Sequence, residues 1–370
     1  MKFICEQQLL SKSLTIVSRA VTSRTTIPIL KGIMLELSED GSLTMSASDL
    51  DISIKNTIDV HAEEAGSVIV MAKLFGDIIR KLPSEPITFE CDENYNVVIK
   101  CRNSEFKIVG MSTDEFPGVN TTVENTTCME FEKAPLKAMI DHTSFAASTD
   151  ESRGIITGML VDVEPEKVSM IAIDGYRMAI NRRMQESPKP VRFIVNAKII
   201  NEISRIIGES GDQDEKGLLY LNENKAIFIF DRIQAEMKLM AGDFIRYKDI
   251  LPKSSKITFT VDRRELLDSI ERASLMSKAG KNNLIRMNIK DSSVTITSNS
   301  DEGNVREEIN VEKEGDDLTI GFNAQYMIDI LKAIDDEKIV MKMNTPITPC
   351  LIHPTEGNQF EYLILPVRIN

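Results

Sequence analysis

The stretch MAKLFGDIIRKL, residues 71–82, decides the fold because the chain repeats it twice. The matching segments are NAKIINEISRII at 196–207 and NAQYMIDILKAI at 323–334, and the three align without a gap. A period of about 125 residues is too long for a solenoid and indicates tandem domains. The copies share a pair of basic or polar residues at one spacing, which is Lys73/Arg80, then Lys198/Arg205, then Gln325/Lys332.

A second repeated pattern opens each copy: a short alternating strand, an acidic residue and a helical pattern. It is found in KFICEQQLLSKSL (2–14), MEFEKAPLKAMI (129–140) and ITFTVDRRELLDSI (257–270). The acidic residues are Glu6, Glu132 and Asp262. A carboxylate suits the start of a helix, where backbone N–H groups lack partners.

Several runs with strand character follow every predicted helix, so each copy reads as strand, helix and strands, twice over. This order predicts the α+β class, with three tandem copies of a two-unit domain and mostly antiparallel sheets. Turn-rich segments separate the copies. The predicted domains are 1–120, 128–250 and 256–370.

The composition is that of a globular protein, with 42% apolar and 27% charged residues. No apolar run reaches the roughly 18 residues that a membrane helix needs, and the start MKFICEQQLL lacks a signal-peptide pattern. The five cysteines never take CxxC spacing. A cytosolic protein with reduced thiols is therefore expected. The net charge of −13 is a total over the whole chain and does not exclude binding of nucleic acid. One basic face can coexist with an acidic remainder.

Helical geometry places the basic pair of the opening stretch on one face. At about 100° per residue, Arg80 lies about 20° from Lys73. Packing against a sheet is expected on the other side, for Leu74, Phe75, Ile78, Ile79 and Leu82. We call the three repeated pairs the basic ridges; Lys12 and Arg19 repeat the spacing on the first helix. Duplication alone would also explain a neutral solvated face, so the pattern leaves a functional and an incidental ridge open.

Catalytic motifs such as GxGxxG, GxxxxGK[ST], HExxH and GxSxG are missing from the sequence. Its histidines, His61, His142 and His353, are widely separated and are interpreted as ordinary surface or core residues. The acidic groups at 49–51 and 335–337 could ligate a cation, but they fit turns better because no third ligand follows at a set spacing. No catalytic residue, cofactor or metal site is predicted.

Three further segments carry a family resemblance: SRTTIPIL (23–30), IDGYRMAI (173–180) and LILPVRIN (363–370). Together with the repeated helices they resemble the β subunit of bacterial DNA polymerase III, the family of DNA sliding clamps, over the whole length. The resemblance implies a closed ring of two head-to-tail protomers whose helices face duplex DNA without reading its sequence. It implies a non-catalytic processivity factor whose partners are the DNA polymerase III alpha subunit, the clamp-loader complex and other proteins with a clamp-binding motif.

The resemblance also implies three sets of site residues. Those for DNA are Arg24, Lys73, Arg80, Lys198, Arg205 and Lys332. Those for a partner-peptide pocket are Ile173, Gly175, Tyr176, Arg177, Met178, Ile245, Ile250, Pro349, Leu363, Ile364, Leu365, Pro366, Val367 and Arg368. Those for the homodimer interface are Phe106, Leu275 and Met276.

The chain departs from the family pattern at the pocket. Tyr176 stands where His is frequent, Ile245 where Pro is frequent, and Asp249 where an arginine is common. The preference among peptides is therefore open. Two other functions remain as alternatives: a protein-interaction scaffold that never encircles DNA, and a metal-dependent hydrolase built on scattered carboxylates.

Overall fold

The computed structural model describes residues 1–23, 25–118, 127–187, 189–210, 216–279 and 283–369. The chain divides into two compact units, which do not follow the order of the sequence. Unit 1 comprises Met1–Lys137 and Glu202–Leu239, and unit 2 comprises Ala138–Asn201 and Met240–Asn370.

The elements repeat in the predicted order. The first copy contains α1 (Gln7–Val17), α2 (Ala72–Lys81), β1 (Lys2–Glu6), β2 (Gly32–Leu37), β3 (Ser42–Ser48), β4 (Ile52–Asp59), β5 (His61–Glu64), β6 (Gly66–Met71), β7 (Pro86–Cys91), β8 (Asn96–Cys101) and β9 (Ser104–Val109). The second contains α3 (Lys133–Ser144), α4 (Ala197–Glu209), β10 (Thr127–Glu132), β11 (Gly158–Val163), β12 (Lys167–Ile173), β13 (Arg177–Met184), β14 (Val191–Asn196), β15 (Lys216–Leu221), β16 (Lys225–Phe230) and β17 (Ile233–Lys238).

The third copy contains α5 (Arg263–Ala279), α6 (Ala324–Lys332), β18 (Ile257–Asp262), β19 (Leu284–Lys290), β20 (Ser293–Ser300), β21 (Gly303–Asn310), β22 (Glu312–Glu314), β23 (Leu318–Asn323), β24 (Lys338–Met343), β25 (Cys350–Pro354) and β26 (Phe360–Ile364). Short 3-10 helices lie at Ser18–Ala20, Pro28–Lys31, Glu151–Thr157 and Tyr247–Asp249. The α+β prediction of three tandem two-part copies is confirmed. The residue boundaries of the domains stay a prediction.

Side chains at the helix starts explain part of this local structure. The Asn323 carboxamide accepts hydrogen bonds from the backbone N–H groups of Gln325 and Tyr326 at the start of α6. Asn196 likewise accepts from the N–H of Lys198 at 2.9 Å. Such capping satisfies donors that the first turn leaves unpaired. Of the predicted acidic caps, Asp262 accepts from the Glu265 N–H at 2.7 Å, whereas Glu6 makes no side-chain cap.

Unit 1 holds a five-stranded sheet of order β5-β1-β7-β8-β9 and an eight-stranded sheet of order β10-β15-β16-β17-β4-β3-β2-β6. Helix α1 packs on α2 and on β4. The rings of Phe3 and Phe89 stack with centroids 4.9 Å apart, and Phe75 of α2 meets Phe89 edge to face. The buried face of α2 is therefore joined to the five-stranded sheet.

Unit 2 holds a nine-stranded sheet of order β14-β11-β12-β13-β26-β25-β24-β18-β22 and a four-stranded sheet of order β21-β20-β19-β23. Helix α5 packs on α6, β20 and β21. The buried Tyr362 hydroxyl donates to the carbonyl of His142 or of Ala333, which lie 3.0 and 3.1 Å away. A polar group in this core is thus satisfied by backbone.

Copies are joined by the same strand pairing. The last strand of the second copy, β17, pairs antiparallel with β4 of the first. The last strand of the third copy, β26, pairs antiparallel with β13 of the second. Among the described residues, the equivalent strands β9 and β21 end their sheets without an outer neighbour.

Helix α2 shows one error in the sequence prediction. Phe75, Ile78, Ile79 and Leu82 are buried as expected, but Leu74 is 51% exposed. Leu74 follows the ridge residue Lys73 directly, so it lies about 100° around the helix, on a flank rather than on the buried side. Single exposed apolar side chains of this kind are common on protein surfaces.

Candidate nucleic-acid interface and peptide groove

The ridge cations are exposed, and carboxylates accompany most of them. Arg80 pairs with Asp77 at 3.0 Å, and Arg205 pairs with Glu202 at 2.7 Å, each three residues earlier on the same helix. Lys198 pairs with Glu151 at 2.5 Å. The Arg80 and Lys198 pairs lie in water, where each contributes about 0.2–1 kcal/mol and exchanges readily for another anion. Glu202, the partner of Arg205, is only 22% exposed and also binds Arg19.

The remaining ridge positions differ from one another. Glu271 lies 2.7 Å from Lys332 and raises the pKa of that ammonium, which keeps it charged. Lys73 has no carboxylate within 4.0 Å among the described residues. Arg24 lies outside the described residues. Arg19 is not part of an open ridge, since its guanidinium binds Glu202 and Glu209 and is only 18% exposed.

The predicted pocket is built on an apolar floor in unit 2. Its buried members include Ile173, Met178 and Leu363, which lie on adjacent strands β12, β13 and β26. Phe244, Tyr247 and Leu351 belong to the same buried cluster, and Ile155, Met240, Leu251 and Leu365 pack against it while partly exposed. We call this surface the groove.

A tight loop between β12 and β13 forms one wall of the groove. The Asp174 carboxylate accepts hydrogen bonds from the N–H groups of Tyr176 and Arg177, at 2.8 and 2.9 Å. Gly175 has φ +90°, and a Cβ there would come within 2.9 Å of the Arg153 guanidinium. The positive φ therefore favours glycine, and a larger residue would also push aside the flexible end of Arg153.

Arg177 anchors this loop instead of offering a free charge. It is 9% exposed, and it pairs with Asp174 at 3.1 Å and with Asp329 of α6 at 2.6 Å. Its guanidinium lies 4.5 Å from the Tyr326 ring centroid and 5.3 Å from that of Phe145. Two carboxylates and two ring faces hold the cation, which fixes the position of the loop.

The segment after β26 forms the other wall. Leu365 donates its N–H to the Tyr176 carbonyl, and Val367 donates to the Gly321 carbonyl, each at 2.8 Å. Pro366 between them has no N–H to donate. Pro349 and Val367 are half-buried, and Arg368 is exposed. Ile364 does not fit the predicted pocket, because it is completely buried and alternation along β26 turns it away from Leu363.

The rim of the groove exposes large apolar groups. Tyr176 is 57% exposed, and Ile245 and Ile250 are 36% and 37% exposed. Tyr326 and Arg153 were missed by the sequence analysis. The Tyr326 ring stacks on Tyr176 with centroids 6.1 Å apart, and Arg153 donates to the Asp174 carbonyl. Tyr326 carried a weak signal, since the other two copies place Leu74 and Ile199 at its position.

The predicted dimer residues lie near the two open sheet edges. Phe106 is on β9 and is 38% exposed, and Val109 at the end of that strand is 73% exposed. Leu275 on α5 is 63% exposed. The neighbouring Met276 is half-buried, and its sulfur lies near Gly303 of β21. In the described part of the chain, both edges thus combine a strand that has no outer neighbour with exposed apolar side chains nearby.

Within the described residues, no three His, Cys, Asp or Glu side chains are grouped to hold a metal ion. The Asp49 carboxylate instead accepts from the N–H groups of Asp51 and Ile52, as expected for a turn. No helix in the described part of the chain is long and apolar enough to cross a membrane.

Repeated copies, cationic helix faces and an apolar groove are the features of a binding protein, which acts by presenting surfaces to its partners. Models of the DNA polymerase III beta subunit match nearly all of the chain, one after another: the N-terminal domain at residues 1–120, the central domain at 130–245 and the C-terminal domain at 248–368. A beta sliding clamp of Bacillus subtilis is 32% identical and is covered, like this chain, over 100% of its length.

Solved structures agree with these matches. The crystal structure of the Bacillus subtilis DNA polymerase sliding clamp superposes with a TM-score of 0.94 at 32% identity, over 100% of both chains. A putative DNA polymerase III beta subunit from Eubacterium rectale gives a TM-score of 0.92 at 35% identity, over 99% of both chains. The chain belongs to the DNA polymerase III beta subunit family, and its function is that of a non-catalytic DNA sliding clamp.

Proposed function

We propose that two copies of this chain close into a head-to-tail ring around duplex DNA and tether replication proteins to it. The observation that carries the proposal is the repeated strand pairing between copies. It is used twice within the chain, and it leaves β9 and β21 as the matching pair of open edges. A head-to-tail contact of this kind forms a ring when its rotation closes.

The internal repeat predicts the register of that contact. Strands β4, β13 and β21 occupy the same place in the three copies. When the pairings are followed from the strand before each ridge helix, Lys55, Ile180 and Arg306 take equivalent positions on these strands. Strands β17, β26 and β9 are the last strands of their copies. When the pairings are followed from the first strands β10, β18 and β1, Gln234, Glu361 and Glu105 take equivalent positions on them.

Two of these pairs exist in the chain: Lys55 lies opposite Gln234, and Ile180 lies opposite Glu361. By the same rule Arg306 of one copy lies opposite Glu105 of another, with Phe106 opposite Val305. Opposite charges and apolar pairs are the combinations that stabilise neighbouring strands. In the free chain Glu105 pairs with Lys107 at 3.3 Å and Arg306 with Glu308 at 2.9 Å, both on their own strands and exposed.

A charge exchange tests this contact. Glu105→Arg and Arg306→Glu should each weaken the dimer, because each sets like charges opposite one another. The double variant should recover dimerisation, measured by sedimentation at several protein concentrations. Lys107→Gln serves as the control, since it alters the strand without creating a repulsive pair. Two single variants as dimeric as the parent would contradict the register.

The basic ridges would then contact phosphates and leave base edges unread. Phosphate contacts are independent of sequence and weaken as salt rises. The carboxylates that pair with the ridge cations weaken the attraction of these cations to phosphates, which suits a ring that slides along DNA. DNA contact is proposed for Arg24, Lys73, Arg80, Lys198, Arg205 and Lys332.

Retention on DNA tests encirclement. The loaded protein should remain on circular DNA and leave after the circle is cut, because the linkage is topological. Reversing Lys73, Arg80, Lys198 and Arg205 to Glu should reduce loading strongly, while the dimer persists. Retention that survives linearisation would exclude a ring, and unchanged loading of the reversed protein would favour a scaffold that does not encircle DNA.

The groove is proposed as the site for short apolar peptides of the DNA polymerase III alpha subunit, the clamp loader and other clamp-binding proteins. Its apolar floor and exposed Tyr176, Ile245 and Ile250 support this assignment. Loading requires a separate ATP-driven loader, and we place the protein in the cytoplasm with the replicated DNA. Gly175→Val should abolish peptide binding because a β-branched residue is strained at φ +90° and would distort the loop, and Gly118→Val serves as a control because no described residue lies within 4 Å of that position.

A further inference from the structure

A second, polar cavity adjoins the groove. Its volume is about 400 Å³, and it lies between the segment Pro252–Ser255, strands β24 and β25, and the turn before β26. Leu351 belongs to both surfaces, since it lines the cavity and lies in the apolar cluster of the groove. Leu251, which packs against that cluster, directly precedes Pro252 at the cavity wall. The cavity therefore adjoins the groove, close enough for residues that flank a docked motif.

The cavity is cationic in a protein of net charge −13. Lys253 and Lys342 line it, and neither has a carboxylate within 4.0 Å among the described residues. Lys342 is half-buried. The acidic lining residue, Glu361, is already neutralised by an ion pair with Arg182. The local charge is thus positive and uncompensated.

The cavity also contains an unused imidazole nitrogen. His353 lines it, and the His353 Nδ1 lies 2.9 Å from the Pro354 carbonyl oxygen, to which it can donate. Its Nε2 is buried and has no hydrogen-bond partner among the described residues. In that tautomer the Nε2 is an acceptor. Because protein atoms enclose this nitrogen, it adds to the polarity of the cavity wall and is not itself a binding position.

We propose that this cavity binds an acidic residue that flanks the apolar motif of the docked peptide. Lys253 and Lys342 hold the carboxylate. The inference rests on the proposed peptide docking and adds its charge preference. An acidic flank is repelled by most of this protein's surface, so the cationic cavity selects for motifs that place their acid at this point.

Two labelled peptides test the preference. They share a Leu-Phe motif and differ in a Glu-Glu or Gln-Gln flank, which is placed on either side of the motif in turn. At low salt, one placement of the Glu-Glu flank should bind about fivefold more tightly than its Gln-Gln counterpart, as expected for two partly solvated ion pairs. The Lys253→Gln/Lys342→Gln protein should lose this difference and keep the affinity for the Gln-Gln peptide.

Matched variants separate the cavity from general charge. Lys256→Gln removes an exposed lysine from the same segment that does not line the cavity, and it should keep the preference. Lys253→Glu/Lys342→Glu should reverse the preference toward a Lys-Lys flank. Thermal unfolding of each variant confirms that it is folded.

The outcomes are distinct. If neither peptide binds, the proposed groove function is wrong, and this inference falls with it. If both bind equally well, docking stands and the acidic preference is overturned. A preference that persists in the double lysine variant places the acid elsewhere and also overturns it. Binding of inorganic phosphate without any effect of the flank would assign the cavity to a free anion instead.

Discussion

The first and third copies of the ridge helix use the same acidic position in different ways. Asp77 of α2 is exposed and pairs with Arg80 on its own helix. Asp329 at the matching position of α6 binds the nearly buried Arg177 of the groove loop at 2.6 Å, and it also accepts a hydrogen bond from Gln325 at 2.8 Å. Duplication thus preserved the carboxylate while its partner changed. In α6 this carboxylate, which lies beside the ridge, holds the groove loop through Arg177.

The largest effect is expected for Asp329→Ala. The change removes one of the two carboxylates that hold Arg177, and a charged hydrogen bond of this kind contributes about 2 kcal/mol. Chemical denaturation should show that loss, and peptide affinity should fall about tenfold as the loop loses its anchor. Asp329→Asn keeps an acceptor for Arg177 and should lose less. Unchanged peptide affinity in Asp329→Ala would break the proposed link between α6 and the groove.

Restoring the missing ridge charge should have a moderate effect. Gln325→Lys gives the third copy the basic pair of the other two. The slope of log affinity for DNA against log salt should steepen by about one for each new phosphate contact. Gln325→Glu is the matched control and should weaken binding. An identical slope for all three proteins would mean that this position does not contact DNA.

A smaller change is expected for Asp77→Ala. The lost pair with Arg80 is exposed, so the free energy of unfolding should fall by only about 0.3–0.5 kcal/mol. DNA retention should rise slightly because Arg80 is released. Asp77→Asn separates the charge from the side-chain volume. A stability loss as large as that of Asp329→Ala would remove the contrast between the two helices.

The free energy of unfolding should also depend on pH, through a histidine that lies on neither α2 nor α6. Burial lowers the pKa of His353, helped by Lys342 and opposed by the Pro354 carbonyl and Glu361. The unfolded chain therefore takes up this proton first, and the contribution of His353 to stability is present above about pH 6.5 and falls at lower pH. His353→Gln should flatten the dependence of unfolding free energy on pH between about 7 and 5. Denaturation at pH 8 and 5.5 measures this change.

Sequence periodicity predicted the copies and their helices because those features depend on local spacing. It could not predict which carboxylate each cation binds. Arg19 satisfies the seven-residue spacing, yet it binds Glu202 and Glu209, which lie far along the chain. The groove shows the same limit. The turn of Asp174 and Gly175 has a local signature, whereas Arg153 and Tyr326 reach the loop from distant segments. Leu74 was wrongly predicted to be buried. Helical periodicity places it on the side of α2, but it does not tell how far the sheet beneath the helix extends to that side.

The pairing of β17 with β4 and of β26 with β13 differs from the proposed β9–β21 contact in one respect, which is tethering. The first two are intramolecular, so the effective concentration of each partner strand is fixed by the chain and is on the order of millimolar. The third is made between molecules and depends on protein concentration. Although the three strand contacts would be built alike, the proposed β9–β21 contact would therefore open more often than the other two. It would be the gate through which DNA enters.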